Sequence, residues 1–575
     1  MKKIMTMKLL CRLCSLLLLL GGCLFAKAQQ QDVFERVEGQ CPELPRGLLH
    51  AISFTNTHCH HLTDADYTSA SDDPEAMPRA YGMMGLVRDG KGCFRENLVT
   101  VAALSGCPEK MILEDPYTNV LAYAKAFLET AGRMGITGDK VEAYAPVIEA
   151  LSELPRETNR DELPMKMMLY SVFELLDIDL HTFFGDDYET LSAKGLTFRE
   201  GPDYAPALWV PAPECNYDER PRPVSGVVIH YTEGSYAGCI SWFQNCESHV
   251  SSHYVIRSRD GQVTQMVREA DRAWHARSAN AYTIGIEHEA YGDIASFFTE
   301  AMYASSADLV RDICTRYEAI DGHRTFYTDT LDSGMTLNDG LWDLGGEDAC
   351  VRIRGHQHYP GQSHTDPGPY WDWNYYYKKI NEGDPVDHLG GAGALLGKLD
   401  HLDYGNNERK IWVITSDDHT SISLRFSDFK LEKDYDFLWI YDGDNVYAPK
   451  LGRWNTHSPG RVTSSSNAMC IEFRSDCEGT GSGWKAVWSV RDNTGVGEEQ
   501  LGDMTVSQIG DDLFLQASDP GQYEVAVTDL CGRIVARRLF SGTVTIPLNR
   551  LAHGMYLLHY TRRADGLSAV RRIIH

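Results

Sequence analysis

The sequence lacks two features that would place the protein in a membrane or on a nucleic acid. Beyond its first 28 residues, it has no apolar run long enough to cross a bilayer as a helix. It also has no excess of basic residues, because 54 Lys and Arg stand against 81 Asp and Glu, a formal net charge of −27. Such an acidic surface disfavours nucleic acids and anionic membranes, since both carry negative charge.

Residues 1–28 contain the longest apolar segment. Four basic residues precede its leucine run: Lys2, Lys3, Lys8 and Arg12. A basic flank, a short apolar core and a small-residue exit at Ala28 predict a secretory signal peptide. Lipidation at Cys23 is the alternative, because Leu20–Cys23 also fits the box before a lipid-modified Cys. Without this segment, which holds five Lys and Arg, the formal charge is −32.

Cysteine usage indicates an oxidising compartment. Three of the 15 Cys lie in the predicted signal, which leaves an even set of 12. An even set in a secreted protein predicts disulfides. The pairs closest in sequence, Cys239 with Cys246 and Cys470 with Cys477, are the first candidates. A length of 575 residues further implies several domains, each with its own core.

The stretch from Val227 to Trp373 carries most of the functional information. The apolar run before His230 predicts a buried strand, so the imidazole would emerge at the strand's end, where α/β folds place reactive groups. His356 and Asp366 lie ten residues apart with Pro and Gly between them, which predicts a loop. Two imidazoles and a carboxylate provide three zinc ligands and leave a fourth position open, as in catalytic zinc sites.

Six sequence blocks in this stretch resemble the zinc-dependent N-acetylmuramoyl-L-alanine amidases of the phage-lysozyme and peptidoglycan-recognition-protein superfamily. They are Ile229–Thr232, Val250–Ile256, Asp260–Gly261, Ala273–Ala276, Ile284–Glu289 and His364–Gly368. The resemblance implies an α/β domain over 223–382, with a mixed sheet flanked by helices. It also implies that His230, His356 and Asp366 bind zinc.

The activity implied by the resemblance is hydrolysis of the amide between N-acetylmuramic acid and L-alanine in peptidoglycan. The complete set of three ligands argues against the non-catalytic branch of the superfamily, which typically lacks the third ligand. The alternative function is a non-catalytic peptidoglycan-binding or adhesion protein with a vestigial zinc site.

Glu287 and His364 are the further catalytic candidates. Glu287 ends an apolar strand, so its carboxylate should reach the same edge as His230 and act as the general base. Support of a ligand histidine is its alternative role. His364 stands where the phage enzymes have a catalytic Lys, and a protonated imidazole there would stabilise the oxyanion. His288 alternates to the other face of the strand and is predicted to be structural.

Residues 29–175 show apolar residues three and four apart, which predicts an all-α domain. The order of these segments resembles lysozyme-like transglycosylases, which need a Glu general acid near the end of the first helix. Asn56 or Thr55 occupies that place, and an amide cannot protonate a glycosidic oxygen. The domain is therefore predicted to be degenerate, without glycosidase activity. A proline-rich connector over 176–222 follows it.

A cluster of metal-binding residue types lies within this helical region: His58, Cys59, His60 and His61. Adjacent residues cannot all converge on one ion, so a loop cluster is the favoured interpretation.

After a Gly-rich linker predicted at 383–402, period-two apolar patterns over 403–492 predict a β-sandwich. Four sequence segments of this region resemble a CUB domain: Phe426–Phe429, Tyr435–Gly443, Phe473–Asp476 and Gly483–Ala486. The resemblance implies a recognition module for a glycan or protein, with calcium at Glu432, Asp436 and Asp476. Carboxylate oxygens suit Ca²⁺, although merely solvated acids are the alternative.

Short strands in residues 503–575 predict a second all-β sandwich. The Gly554–Tyr556 turn and the basic end at Arg571–Arg572 resemble the C-terminal sorting domains of type IX secretion. This resemblance implies that the type IX secretion machinery is a partner. It also implies a secreted or cell-surface location, reached through the periplasm. One more adhesion-type sandwich is the alternative.

Overall fold

The structure is a computed structural model. It describes residues 33–575 except 69–75, 139, 156–161, 186, 193–200, 293, 328–339, 392, 418–419, 493–503, 510–511, 518–520, 530–532, 550 and 564–567. The predicted signal peptide, including Cys23, lies outside the described residues. Among the residues that are described, no helix is both long and apolar enough to cross a membrane.

The N-terminal part of the chain is mainly helical, as predicted for 29–175. Its helices are α1 (33–40), α2 (Leu48–Thr57), α3 (Asn97–Ser105), α4 (Glu109–Glu114), α5 (Pro116–Met134), α6 (Ala145–Ser152), α7 (Glu162–Leu175), α8 (Leu180–Phe184) and α9 (Asp187–Ser192). Strands β1 (Ala80–Tyr81) and β2 (Leu86–Val87) form a small antiparallel pair. The lysozyme-like resemblance of this domain stays a prediction.

Local sequence signals explain where the longest of these helices begins and ends. The Asp115 carboxylate accepts a hydrogen bond from the Thr118 amide, and Pro116 occupies the first helical position of α5. The helix ends at Gly135, which adopts the left-handed conformation with φ 68°.

The described residues of the central domain form eight strands and three α-helices. The strands are β3 (Leu208–Trp209), β4 (Tyr217–Glu219), β5 (Gly226–Tyr231), β6 (Tyr254–Ile256), β7 (Val263–Gln265), β8 (Asp271–Ala273), β9 (Thr283–His288) and β10 (Ile353–Gly355). The helices are α10 (Tyr236–Gln244), α11 (Glu300–Arg316) and α12 (Trp373–Ile380). The main sheet has the order β10-β5-β9-β6-β7-β3, while β4 and β8 pair separately. The prediction of a connector over 176–222 is wrong in part, because helices α8 and α9 and strands β3 and β4 all lie within it.

The main sheet is mixed, as predicted, because all its pairs are parallel except β6 with β7. Its central strands are buried on both faces, which is why β5 is an uninterrupted apolar run rather than an alternating one. On one face, Ile229 and Ile284 pack with Leu309 of α11. On the other, Val255 packs with Ile240 of α10.

The first sandwich follows as two sheets. Its strands are β11 (Val386–Gly390), β12 (Leu396–Lys398), β13 (His401–Leu402), β14 (Arg409–Thr415), β15 (Thr420–Lys430), β16 (Phe437–Tyr441), β17 (Lys450–Trp454), β18 (Arg461–Thr463), β19 (Ala468–Arg474) and β20 (Gly483–Asp492). The sheets have the orders β11-β14-β19-β16-β17 and β12-β20-β15-β18, with β13 also paired to β20.

The prediction of a linker at 383–402 is wrong in one respect, because β11, β12 and β13 come from it. Val386–Gly390 runs parallel to β14 and extends one sheet at its edge, while Leu396–Lys398 pairs with β20 in the other. This Gly-rich segment forms strands because its backbone hydrogen-bonds to exposed sheet edges.

The described residues of the C-terminal region form a second, smaller sandwich. Its strands are β21 (Met504–Ile509), β22 (Asp512–Ala517), β23 (Tyr523–Asp529), β24 (Ile534–Phe540), β25 (Thr543–Pro547), β26 (Met555–Arg562) and β27 (Ser568–Ile574). They form sheets of order β21-β22-β25 and β24-β23-β26-β27.

Two disulfides are present among the described residues, Cys215–Cys246 and Cys350–Cys477. The pairs predicted from short separation are therefore wrong. Cys239 and Cys470 are buried free thiols, packed in separate apolar clusters, so their sequence neighbours pair elsewhere. The second disulfide joins the central domain to the first sandwich.

A buried charge cluster lies where the first sandwich meets the central domain. Glu472 accepts hydrogen bonds from Arg409 at 2.9 Å and from Arg474 at 3.0 Å, and all three side chains are almost fully buried. The Arg474 guanidinium lies 4.2 Å from the ring centre of Tyr377 in α12 and 4.4 Å from that of Trp439. One outer sheet face of the sandwich is thus covered by the central domain.

Glu472→Ala should strongly destabilise this junction, because it leaves the Arg474 guanidinium buried without its carboxylate and leaves Arg409 with only Asp384, at 3.1 Å. Removing one member of a buried ion pair costs about 3–5 kcal/mol, and we expect a loss of that order in urea unfolding of the full chain. The matched control is Asp428→Ala, whose carboxylate pairs with Lys485 at 3.6 Å on the exposed surface and should change little. Equal effects of the two substitutions would contradict the role of the buried cluster.

Candidate active site

His230, His356 and Asp366 meet at the carboxyl edge of the main sheet. His230 is the next-to-last residue of β5, and His356 directly follows β10, its parallel neighbour. Neighbouring parallel strands end at the same edge of a sheet, which brings the two imidazoles together. The loop that carries Asp366 returns to this edge, where the Gln357 amide donates to the Asp366 carbonyl at 3.1 Å.

The three side chains form a compact buried cluster. The Asp366 carboxylate lies between the imidazoles, with Oδ2 at 2.8 Å from Nδ1 of His230 and Oδ1 at 3.0 Å from Nδ1 of His356. The exposed fractions are 2% for His230, 6% for His356 and 5% for Asp366. One ligand atom from each residue lies within 4.8 Å of the others. The structure therefore brings together the residues predicted to bind zinc.

Gln362 determines which nitrogen of His356 can bind a metal. Its amide NH₂ donates to the carbonyls of Ala276 and Pro360, so its Oε1 faces Nε2 of His356 at 2.8 Å. Nε2 must then carry the proton, which leaves the lone pair of a neutral imidazole on Nδ1. A lone pair that faces a carboxylate is repulsive unless a cation lies between them, so the cluster fits a metal ion. The sequence indicated Gln362 only as a polar residue in the loop between two predicted ligands.

The electrostatics of the cluster favour the protonation states that a metal requires. Burial lowers the pKa of His230 to about 4, although Asp366 opposes this shift, so its imidazole is neutral near pH 7. Burial alone would raise the pKa of Asp366, but His356 and His230 outweigh it and hold that pKa well below its usual range. Two neutral imidazoles and one carboxylate are a typical donor set for zinc.

His275 supports His230 from behind. Its Nδ1 lies 3.0 Å from Nε2 of His230, so the second ring nitrogen of that residue has a fixed partner. The ring fits there because position 285 is glycine, where an added Cβ would lie 2.7 Å from it. His253 lies deeper and accepts from the Gly285 amide at 3.0 Å.

Glu287 lies beside the cluster, on the strand next to that of His230. The two residues are register partners on β9 and β5, so their side chains leave the sheet on the same face. Glu287 is 9% exposed, and its buried Oε2 has no hydrogen-bond partner among the described residues. Burial, followed by the charges of Asp366 and Glu233, raises its pKa well above the usual range. A raised pKa makes the carboxylate a stronger base.

His364 lies beside His356. Its ring stacks on that of His356 with the centroids 5.2 Å apart and the planes 7° apart, and it lines the cleft next to the cluster. The structure thus places a second titratable group beside the predicted ligands.

Other histidines have structural contacts. His288 bonds to the carbonyl of His230 and to the hydroxyl of Ser306, both at 2.8 Å, and lies on the face of β9 away from the cleft, as predicted. In the helical domain, His58 stacks on Phe297, whereas His61 lies 3.0 Å from the Leu113 carbonyl. These rings point to different neighbours, which agrees with a loop cluster.

A second acidic cluster lies at one end of the first sandwich. Glu432, Asp436 and Asp476 bring their carboxylates within 4.8 Å of one another, as the calcium prediction requires. Burial and mutual repulsion raise the pKa of Glu432 to about 7 and that of Asp436 to about 6. Asp436 is also held by the hydroxyl of Tyr404 and the amide of Asp476.

The relatives of the central domain are hydrolases that cleave amides. Residues 220–369 match the family described as N-acetylmuramoyl-L-alanine amidase, and residues 399–488 match the CUB domain. The chain is 41% identical to N-acetylmuramoyl-L-alanine amidase A of Achromobacter lyticus over 182 residues, which are 32% of this chain and 97% of that protein. The chain therefore belongs to the N-acetylmuramoyl-L-alanine amidase family.

This chain matches two further relatives, over very different shares of their length. The 1,6-anhydro-N-acetylmuramyl-L-alanine amidase AmpD of Haemophilus influenzae is 29% identical over 195 residues, 29% of this chain and 88% of that protein. Human cubilin is 38% identical over 132 residues, 22% of this chain, which spans only 4% of cubilin. The family matches include neither the helical domain nor the second sandwich.

His230→Ala, His356→Ala and Asp366→Ala should each lose most of the zinc that the wild-type chain retains after dialysis, because two protein ligands hold the ion poorly. Metal analysis of the purified full chains measures this loss. His249→Ala, an exposed histidine at the same cleft, is the matched control and should keep its zinc. A variant that keeps full zinc content would remove its residue from the ligand set.

Proposed function

We propose that this protein hydrolyses the amide between N-acetylmuramic acid and L-alanine in peptidoglycan, with zinc as its cofactor. The observation that carries the proposal is the buried His230–Asp366–His356 cluster, with the unpartnered carboxylate of Glu287 beside it. Membership of the amidase family supports the substrate class. The donor set and the orientation of Gln362 support the metal.

Each residue of the site has its own role in the proposed reaction. His230, His356 and Asp366 would hold zinc, which supplies Lewis acidity to the scissile carbonyl and to the attacking water. Glu287 takes the proton of that water on its Oε2 and passes it to the leaving amine of L-alanine. His364, when protonated, stabilises the negative charge that develops on the carbonyl oxygen.

The activity test uses N-acetylmuramoyl-L-alanyl-D-isoglutamine and measures release of the free amine of L-alanine. The full chain should release this amine. The release should stop when a chelator removes zinc and should resume on addition of Zn²⁺. Glu287→Gln should keep its zinc but lose roughly a hundredfold or more in kcat, as expected for a missing general base.

The control for Glu287→Gln is Glu247→Gln, an exposed carboxylate in the turn after α10, which should retain the wild-type rate. Loss of zinc from Glu287→Gln would assign that residue to support of a ligand instead. A zinc-loaded wild-type chain that binds peptidoglycan without cleaving it would favour the non-catalytic function.

We also propose that the CUB domain is a recognition module that binds Ca²⁺ through Glu432, Asp436 and Asp476. Burial is the largest cause of the raised pKa values of Glu432 and Asp436, and repulsion from the neighbouring Asp476 carboxylate adds to it; a bound cation would offset both. Carboxylate oxygens are the ligands that calcium prefers. The ligand of the module would be a glycan or a protein.

For the second sandwich we propose a sorting function and no catalytic one. It would direct export of the protein by type IX secretion after passage through the periplasm. Truncation after about Gly502 should leave amidase activity unchanged in vitro, because none of the described residues of this sandwich lines the cleft. The truncated chain should accumulate in the periplasm of its native host, as measured by cell fractionation. The matched control is the full-length Glu287→Gln variant, which should leave the cell. Equal extracellular amounts of truncated and full-length chains would contradict the sorting role.

A further inference from the structure

The cleft that contains the His230–Asp366–His356 cluster is formed by two domains. It is lined by His230, Glu287 and Trp242 of the central domain and also by Thr68 and Met77 of the helical domain. The helical domain is thus one wall of the active site and does not act as a distant attachment.

Hydrogen bonds fix Thr68 against the end of β5. Its amide donates to Oε1 of Glu233 at 2.7 Å, and its hydroxyl lies 2.9 Å from the same oxygen. The same hydroxyl lies 2.6 Å from the hydroxyl of Tyr231, which directly follows His230. The wall is therefore held to the strand that carries a predicted metal ligand.

Met77 is held by close packing. Its side chain packs against the apolar cluster that includes Cys239, Trp242 and Phe243 of α10. At the start of the turn before α10, a Cβ added to Gly234 would lie 1.7 Å from Cε of Met77. Glycine at 234 therefore leaves the space that the end of the Met77 side chain occupies.

Apolar and polar side chains both line the cleft. Met77, Cys239, Trp242 and Phe243 contribute apolar surface, whereas His230, Glu287, His356 and Asp366 contribute polar groups. The apolar surface and the proposed base therefore lie in one cleft. An apolar surface next to the reacting groups favours apolar substituents, because they leave water there. The space that the Met77 side chain occupies limits the size of such a substituent.

We propose that Met77 of the helical domain is a specificity-determining residue, which closes an apolar subsite with Trp242 and Phe243 and limits the side chain accepted next to the scissile amide. In the proposed reaction, on which this inference rests, that side chain is the methyl group of L-alanine. The helical domain thereby selects alanine over larger apolar residues at this position.

The test compares kcat/KM of the full chain for N-acetylmuramoyl-L-alanyl-D-isoglutamine with that for the analogue containing L-leucine in place of L-alanine. A pocket that excludes added methylene groups discriminates by roughly 10–200-fold. Met77→Ala should reduce the alanine-to-leucine ratio by about tenfold or more, chiefly by raising kcat/KM for the leucine analogue. Met77→Leu, which keeps the volume of the wall, should retain the wild-type ratio.

Met111→Ala is the matched control, since Met111 is a largely exposed methionine on α4 of the same domain. It should leave the ratio unchanged. Thermal unfolding of each variant checks that the fold is retained, because Met77 is only half-buried. An unchanged ratio in a folded, active Met77→Ala enzyme overturns the inference.

Gly234→Ala provides a second, independent arm. The added methyl group should displace Met77 and change the alanine-to-leucine ratio, whereas it should have no further effect in the Met77→Ala background, where the clash is gone. Additive effects of the two substitutions would show that the contact does not set the specificity. A wild-type chain without activity on the alanine substrate would instead overturn the proposed function itself.

Discussion

The site depends on one electrostatic constraint, the burial of the Asp366 carboxylate between two imidazole nitrogens. The Gln362 Oε1 accepts a hydrogen bond from Nε2 of His356, so the proton of the neutral ring lies on that nitrogen and Nδ1 presents a lone pair to the carboxylate. With its Nδ1 lone pair facing the carboxylate, the neutral His356 ring is stable at this distance in a buried setting only if positive charge lies between the two groups. Burial lowers the pKa of His230 and raises that of Glu287. These opposite shifts suit the two residues to different roles, His230 as a proposed metal ligand and Glu287 as the proposed base.

This constraint requires a rigid frame, and the neighbouring domains provide it. The helical domain shares an apolar cluster with the central domain, in which Tyr67 packs with Tyr231 and Tyr291. On the other side, the first sandwich covers α12 through the buried Glu472 cluster. The three units are therefore not separate modules on linkers, and a change at either junction should reach the cleft.

The parts of the fold and site that could be predicted were those determined by local pattern. Uninterrupted apolar runs before His230 and Glu287 indicate parallel strands buried on both faces, and such strands end at one edge. The wrong disulfide pairs, and the unforeseen roles of Gln362 and Met77, all depend on contacts between segments distant in sequence or on side-chain orientation. Sequence separation does not encode those contacts; Cys350 and Cys477, for instance, are 127 residues apart.

The cross-domain disulfide gives the CUB domain a structural relation to the metal cluster. Cys350 lies just before β10, and His356 directly follows that strand. At the other end of the bond, Cys477 follows Asp476, one of the three clustered carboxylates of the sandwich. Arg324 braces this point by donating to the Cys350 carbonyl at 2.7 Å. A single short strand therefore connects the acidic cluster of the CUB domain to His356 in the cleft. Anchoring this strand at both ends fixes the position of His356, and the proposed metal site requires side chains held within about 0.5 Å.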